Sequence, residues 1–243
     1  MNKAVKRIVN KDIKSIEHNK LNEQGIYIEF NEDNMLSARA MIIGPKDSIY
    51  EGGFLFFYIN FPKNYPYSPP DVAYVPASDV RIHPNLYVRH HKSGFGKVCL
   101  SILGTWNGPQ WTTIMDISTV LLSIQSVLDK YPLLNEPGYS FKSPNHHKII
   151  HDFNDVAFSE TIHSLIIKNY ERTPDDFYIF KDIMTEYIQT NYKDIHNLLL
   201  IRKHKGRTKK IFHELYRLNY PINYEDLLKE YLGFCNKLTL TIE

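Results

Sequence analysis

The chain is 243 residues long, room for one large domain or a medium domain with an addition, and its 43% hydrophobic and 23% charged residues suit a globular core without covalent staples. A formal net charge of +2 excludes a global electrostatic pull toward nucleic acid or anionic lipid. No apolar run approaches the ~20 residues that span a bilayer, so no membrane partner is expected, and two distant cysteines, Cys99 and Cys235, make neither a disulfide framework nor a zinc spacing.

The first segment, MNKAVKRIVNKDIKSIEHNK, predicts an amphipathic helix with Val5, Ile8, Val9, Ile13 and Ile16 at helical spacing. Its other face carries Lys3, Lys6, Arg7, Lys11 and Lys14. The segment has no signal-like apolar region, so a reducing cytosolic or nuclear setting is expected, with both cysteines as thiols. Four strand patterns follow: IYIEF (26–30) and MLSARAMIIG (35–44) around the turn-forming NEDN, then GGFLFFYINFP (52–62) and DVAYVP (71–76). No crossover helix fits between neighbours, so they predict a four-stranded antiparallel meander. FPKNYPYSPP (61–70), with four prolines, predicts a rigid irregular loop.

From Ser78 to Trp111 no period is visible, and a connection this long is usually functional or disordered. Ile114, Ile117, Val120, Leu121, Ile124, Val127 and Leu128 then mark a helix with a broad apolar face, entered through a capping box of Thr113 and Asp116 and ended by Pro132. Helical patterns continue from Pro144 to about Tyr170, then over 177–200, 208–219 and 224–235. The sum is an α+β domain followed by helices. Cys99 heads the apolar run CLSIL, so by residue type alone it reads first as core.

The residues from Tyr50 to Tyr139 resemble the catalytic fold of ubiquitin-conjugating enzymes. The ordered pieces that carry the resemblance are YEGGFLFFYINFPKNYPYSPPDVAYV, HPNLY, GKVCLSILGTW and NEPGY. With the first helix and the helix after Pro144 it extends over roughly residues 1–170. It is closer to large members with a helical C-terminal extension, the Z type, than to small ones. It implies the UBC fold: an N-terminal helix, a four-stranded antiparallel meander, a central helix and C-terminal helices. Residues 1–170 would be the conjugating domain and 171–243 a helical extension. The implied activity is that of a thioester carrier, which takes ubiquitin or a ubiquitin-like modifier from an activating enzyme onto Cys99 and passes it to a substrate lysine or a ligase. ATP is spent upstream, so no cofactor is implied, and the chain has no Walker-type glycine loop.

The resemblance also distributes roles. Cys99 must offer a sulfur that a bulky acyl donor can reach, deprotonated in attack and a good leaving group afterwards. Asn85, of HPN, would donate its amide to the tetrahedral oxyanion, with the ordering of its loop as the open alternative. His83 would brace that loop and not act as a base. Glu136, of NEPGY, stands where small members have an aspartate that orients and desolvates the incoming lysine; an exposed loop acid is the alternative. Asn85 and Cys99 are fourteen positions apart, more than in small members, with VRHHKSGFG taking up the surplus. There His90 and His91 read as a hydrated surface loop and not as a metal or acid–base pair, with Gly94 and Gly96 giving freedom to move.

Lys6 and Arg7 match the basic helix that docks the activating enzyme. Tyr67, Thr113 and Ile114 match positions that meet ligases, although the usual Ser-Pro-Ala is absent after Trp111, which implies a different ligase set. A monomer is expected. RKHKGRTKK (202–210) holds six Lys or Arg and no acid; without interleaved aromatics it reads as a solvated turn between two helices, not a nucleic-acid patch. Two rival functions stand beside the carrier: a non-catalytic scaffold of the same fold binding ubiquitin or ligases, and a cysteine hydrolase pairing Cys99 with a histidine.

Overall fold

The structure, a computed structural model, describes residues 2–205 and 208–242. The chain divides into two compact units, each assembled from separated stretches: Met1–Pro45, Leu55–Pro76 and Asn85–Leu128 in one, and Lys46–Phe54, Ala77–Pro84 and Asp129–Glu243 in the other.

The first unit opens with α1 (Lys3–Arg7), capped by the Asn2 side chain, which runs through a π-helical turn (Ile8–Asp12) into α2 (Ile13–His18). Of the five apolar positions Ile8 is buried and Val9 is 40% exposed, and the other fully buried residues here are Ala4 and Asp12. The four expected strands form: β1 (Ile26–Phe30), β2 (Ser37–Ile43), β3 (Phe54–Asn60) and β4 (Asp71–Val75). Registers run from Ile26↔Ile42 to Phe30↔Ala38 and from Phe56↔Val75 to Asn60↔Asp71, all antiparallel. Asn31 shapes the first turn, its side-chain oxygen accepting from the amides of Asp33 and Asn34. Four successive residues of β3, Phe54 to Phe57, are buried, as expected of a central strand covered on both faces.

The sheet is longer than the expected meander. β5 (Leu86–His90) and β6 (Gly96–Val98) add two strands within the aperiodic segment, giving the order β1-β2-β3-β4-β6-β5. The surplus residues are thus a sheet-paired hairpin and not a loose loop. Gly96 serves packing, not mobility: a Cβ there would lie 1.9 Å from the Tyr87 carbonyl oxygen. α3 (Ile117–Val127) buries Ile117, Val120, Leu121 and Ile124. Its cap differs from the expected box. Asp116 is itself the N-cap, accepting from the Thr119 amide at 3.0 Å, and Thr113 lies outside the helix.

In the second unit α4 (Pro144–Glu160) continues through a π-helical stretch (Thr161–Lys168) into α5 (Asn169–Glu171). A 3-10 turn (Asp175–Phe180) leads to α6 (Lys181–Lys205), and α7 (Tyr224–Lys237) ends the fold. Phe153, Ala157, Ile166, Phe177, Met184, Ile188, Leu199 and Tyr231 make the core of this unit. The expected helix over 208–219 is instead a hairpin, β7 (Lys209–His213) and β8 (Leu218–Ile222), so the C-terminal extension is not purely helical. Ile211, Leu215 and Leu218 mimic a helical spacing, but left-handed backbone at Tyr216 and Arg217 (φ 57° and 53°) turns the chain back. The basic run therefore ends a helix and begins a strand; its Gly206 and Arg207 lie outside the described residues. Arg202 and Lys209 are paired with acids of α4, at 2.8 Å and 2.6 Å from Asp155. Among the described residues no helix is long and apolar enough to cross a membrane.

Candidate active site

Cys99 follows β6 directly, and Asn85 precedes β5 directly, so the β5–β6 hairpin brings together two residues fourteen positions apart. The contact is reciprocal: the Cys99 amide donates to the Asn85 carbonyl at 2.9 Å, and Asn85 Nδ2 donates to the Cys99 carbonyl at 2.7 Å. Asn85 is itself buried. Its amide therefore fixes the backbone of the cysteine.

The sulfur is not open as the carrier chemistry demands. Cys99 is 2% exposed, enclosed in an apolar run with Val98, Leu100 and Leu103 also buried. A 3-10 turn (Ser101–Leu103) follows, and Gly104 takes left-handed backbone (φ 68°). Thr105 then closes the turn onto both neighbours of Cys99. Its hydroxyl donates to the Val98 carbonyl at 2.7 Å and accepts from the Leu100 amide at 2.9 Å. Cys235 is buried too, where desolvation pushes its thiol pKa up; neither cysteine is in a disulfide.

The two hairpin histidines have separate surroundings. His91 is tied to Asp71 at 3.1 Å and to Ser93 at 2.6 Å, whereas His90 is exposed with φ 79°. Among the described residues no cluster of three His, Cys, Asp or Glu is placed to hold a metal.

The candidate partner residues fall into two kinds. Tyr67 and Ile114 are each 77% exposed, and Thr113 and Lys6 are exposed as well. Arg7 instead faces inward. Its guanidinium donates to the carbonyls of Met115 (2.7 Å) and Thr113 (3.5 Å) and lies 5.8 Å from the Tyr65 ring centre. Lys11 Nζ donates to the Ile114 carbonyl. The first helix thus clamps the backbone of residues 113–115, while Thr113 and Ile114 stay exposed. Behind the clamp, Asp12 accepts from the Tyr65 hydroxyl and from the Ile117 amide at 2.8 Å, with Arg7 3.6 Å away. Burial pushes the Asp12 carboxyl above 3.8 despite those donors, and pushes the Tyr65 phenol up as well.

In the second unit His83 is fully buried, its ring 5.9 Å from that of Tyr50, whose hydroxyl donates to the Ile82 carbonyl at 2.6 Å. Arg81 reaches the same turn, donating to the carbonyls of His83 and Pro84. Glu136 is half-buried after a 3-10 turn (Pro132–Asn135) anchored by buried Leu133, and its amide donates to the Leu133 carbonyl at 3.1 Å. Its carboxylate Oε2 accepts from the hydroxyl of Tyr216, eighty residues on.

Sequence reasoning had a signal for Asp12, which sits on the apolar stripe between Ile8 and Ile16. Thr105, Arg81 and Tyr216 gave none, because what they touch is set by turns and distant chain.

Residues 8–157 match the family model described as "Ubiquitin-conjugating enzyme". Curated relatives named ubiquitin-conjugating enzyme E2 Z are 38% identical over 149 residues in Xenopus tropicalis and 41% over 140 in Homo sapiens. These alignments cover 60% and 57% of this chain, and 45% and 37% of the relatives. The chain thus matches less than half the length of either relative.

Proposed function

Because the chain belongs to the ubiquitin-conjugating enzyme family, we propose that it carries ubiquitin or a ubiquitin-like modifier as a thioester on Cys99. An activating enzyme supplies the acyl group and spends the ATP, so this chain needs no cofactor of its own. The reaction is acyl exchange: the Cys99 thiolate attacks the donor thioester carbonyl, and the donor thiol leaves. Discharge follows onto a substrate lysine or a ligase.

One observation carries this reading: the reciprocal Asn85–Cys99 bonds, which hold the cysteine backbone against a side-chain amide inside the matched segment. Asn85 would then serve the oxyanion of lysine attack. Exposed Tyr67, Ile114 and Thr113 form the ligase-facing surface, and Lys6 meets the activating enzyme. Arg7 contributes indirectly, by holding the 113–115 backbone.

Burial of Cys99 favours a second reading, a non-catalytic scaffold of the same fold. The experiment that decides is loading. The protein is incubated with ATP, a panel of activating enzymes and a panel of modifiers, and a reductant-sensitive conjugate is sought on gels. At least one combination should give it; no conjugate with any combination would leave the scaffold.

A further inference from the structure

A cavity of about 200 Å³ opens within the first unit, between the start of β4 and the β5–β6 hairpin. Buried Val72, Val98 and Leu103 give it apolar walls. It adjoins the turn that carries Cys99: Val98 precedes that residue, and Thr105, which also lines the cavity, bonds the backbone on both sides of it.

The charges around the cavity do not cancel. Asp71 is matched twice, by Lys92 at 3.1 Å and by His91 Nε2 at 3.1 Å. The Ser93 amide donates to His91 Nδ1 at 3.2 Å, so in the neutral ring Nε2 carries the hydrogen that faces Asp71. Lys97, half-buried on β6 beside Ala73 of β4, has no partner for its ammonium among the described residues. The exposed His90 ring meets Tyr87 edge-on and has no hydrogen-bond partner among them either. With Asp71 satisfied, the unmatched charge is the Lys97 cation.

We propose that this cavity takes one glutamate side chain of the acceptor protein, near the lysine to be modified, and so favours acidic substrates. The inference rests on the reading of Cys99 as the carrier, because the cavity adjoins that residue. Size decides against a larger guest. Pockets for drug-sized ligands run to roughly 300–1,000 Å³, and this one has room for a single side chain. Charge decides among side chains: Lys97 calls for an anion, the His90 ring offers a further N–H, and an arginine or lysine would meet an unmatched like charge. The apolar walls take the methylenes of glutamate.

The test loads wild type, Lys97→Arg and Lys97→Glu, then chases each thioester with short peptides. Each peptide holds a lysine and, at several spacings from it, glutamate, glutamine or arginine. The readout is the ratio of discharge rates within one loaded protein, so differences in loading or folding cancel. For wild type, glutamate at one spacing or more should discharge about two- to fivefold faster than glutamine, the range of a partly exposed ion pair. The gain should shrink as salt rises. Lys97→Arg should keep the preference, and Lys97→Glu should reverse it in favour of arginine. A loaded wild type indifferent to glutamate at every spacing overturns the inference alone, and so does a preference that survives in Lys97→Glu. Should Lys97→Glu not fold, Lys97→Gln replaces it: loss of the preference supports the inference, and its retention overturns it. Absence of any thioester on the wild type overturns the carrier reading, and the acceptor role of the cavity with it.

Discussion

On the proposed function Cys99 would meet two opposed requirements. Its backbone is held by Asn85, but its sulfur would have to meet a bulky donor, and the residue is 2% exposed. Thr105 braces the turn beside it, through bonds to the backbone on either side of the cysteine, and is expected to hold the cover in place. Thr105→Val keeps the shape and deletes the hydroxyl, leaving the Leu100 amide and the Val98 carbonyl without that partner. The variant should lose about 1–2 kcal/mol of stability, read by chemical denaturation, and alkylate faster at Cys99 with iodoacetamide. Unchanged alkylation would place the cover elsewhere. Cys99 and Asn85 stood out as candidates from motif order, but the wide spacing between them left their closeness open, and the hydrogen bonds that join them were not legible. The burial of Cys99 was legible only in the plain reading of CLSIL as core, which the resemblance to a carrier overrode.

At the scale of elements, the first helix does more than present a basic stripe. Arg7 and Lys11 clamp the carbonyls that precede α3, and Asp12 binds the first amide of that helix. A buried carboxylate is costly, and the direction of its pKa fixes the sign of a pH effect. Desolvation raises the Asp12 pKa above 3.8, so the folded state holds its proton more tightly than the unfolded chain does. The contribution of Asp12 is therefore fully present below about 3.8 and is lost as pH rises through the higher folded value. Relative to Asp12→Asn, the wild type should be most favoured near pH 3 and lose ground toward neutrality. Urea titrations of both proteins at several pH values measure the difference, and a gap widening in favour of the wild type with rising pH would contradict the assignment. Strands β1 to β4 were readable because apolar alternation and turn residues bounded them. β5 and β6 were not, since LYVRH and GKV are short, polar and irregular, and their pairing depends on Gly96 fitting under the Tyr87 carbonyl. The 208–219 hairpin was misread because three aliphatics at helical spacing outweighed a turn conformation that no local residue announces.

At the scale of the molecule, the second unit is knit from chain stretches that sequence order keeps apart. Asn169 Nδ2 donates to the Phe54 carbonyl at 2.7 Å, and Glu160 accepts from Ser78, Ser164 and Tyr220 at 2.5, 2.7 and 2.7 Å. Such contacts are invisible to a period-based reading, which sees only neighbours along the chain. Asp155 is a junction of the same kind, accepting from Arg202, Lys209 and the Tyr224 hydroxyl. Because these partners are partly exposed, solvent screens the charges, and Asp155→Ala should cost only about 1–3 kcal/mol. The loss should be local. Hydrogen exchange should accelerate across 209–222 and leave the β1–β4 amides protected; uniform acceleration would show that Asp155 stabilises more than the hairpin.

The central claim is that one sulfur, Cys99, carries the modifier. Its most direct measurement is the reductant-sensitive conjugate formed by wild type, Cys99→Ser and Cys235→Ser under a combination of activating enzyme and modifier that loads the wild type. The account predicts that Cys235→Ser keeps the conjugate, while Cys99→Ser gives either none or a reductant-resistant oxyester. A reducible conjugate on the Cys99→Ser protein would contradict it.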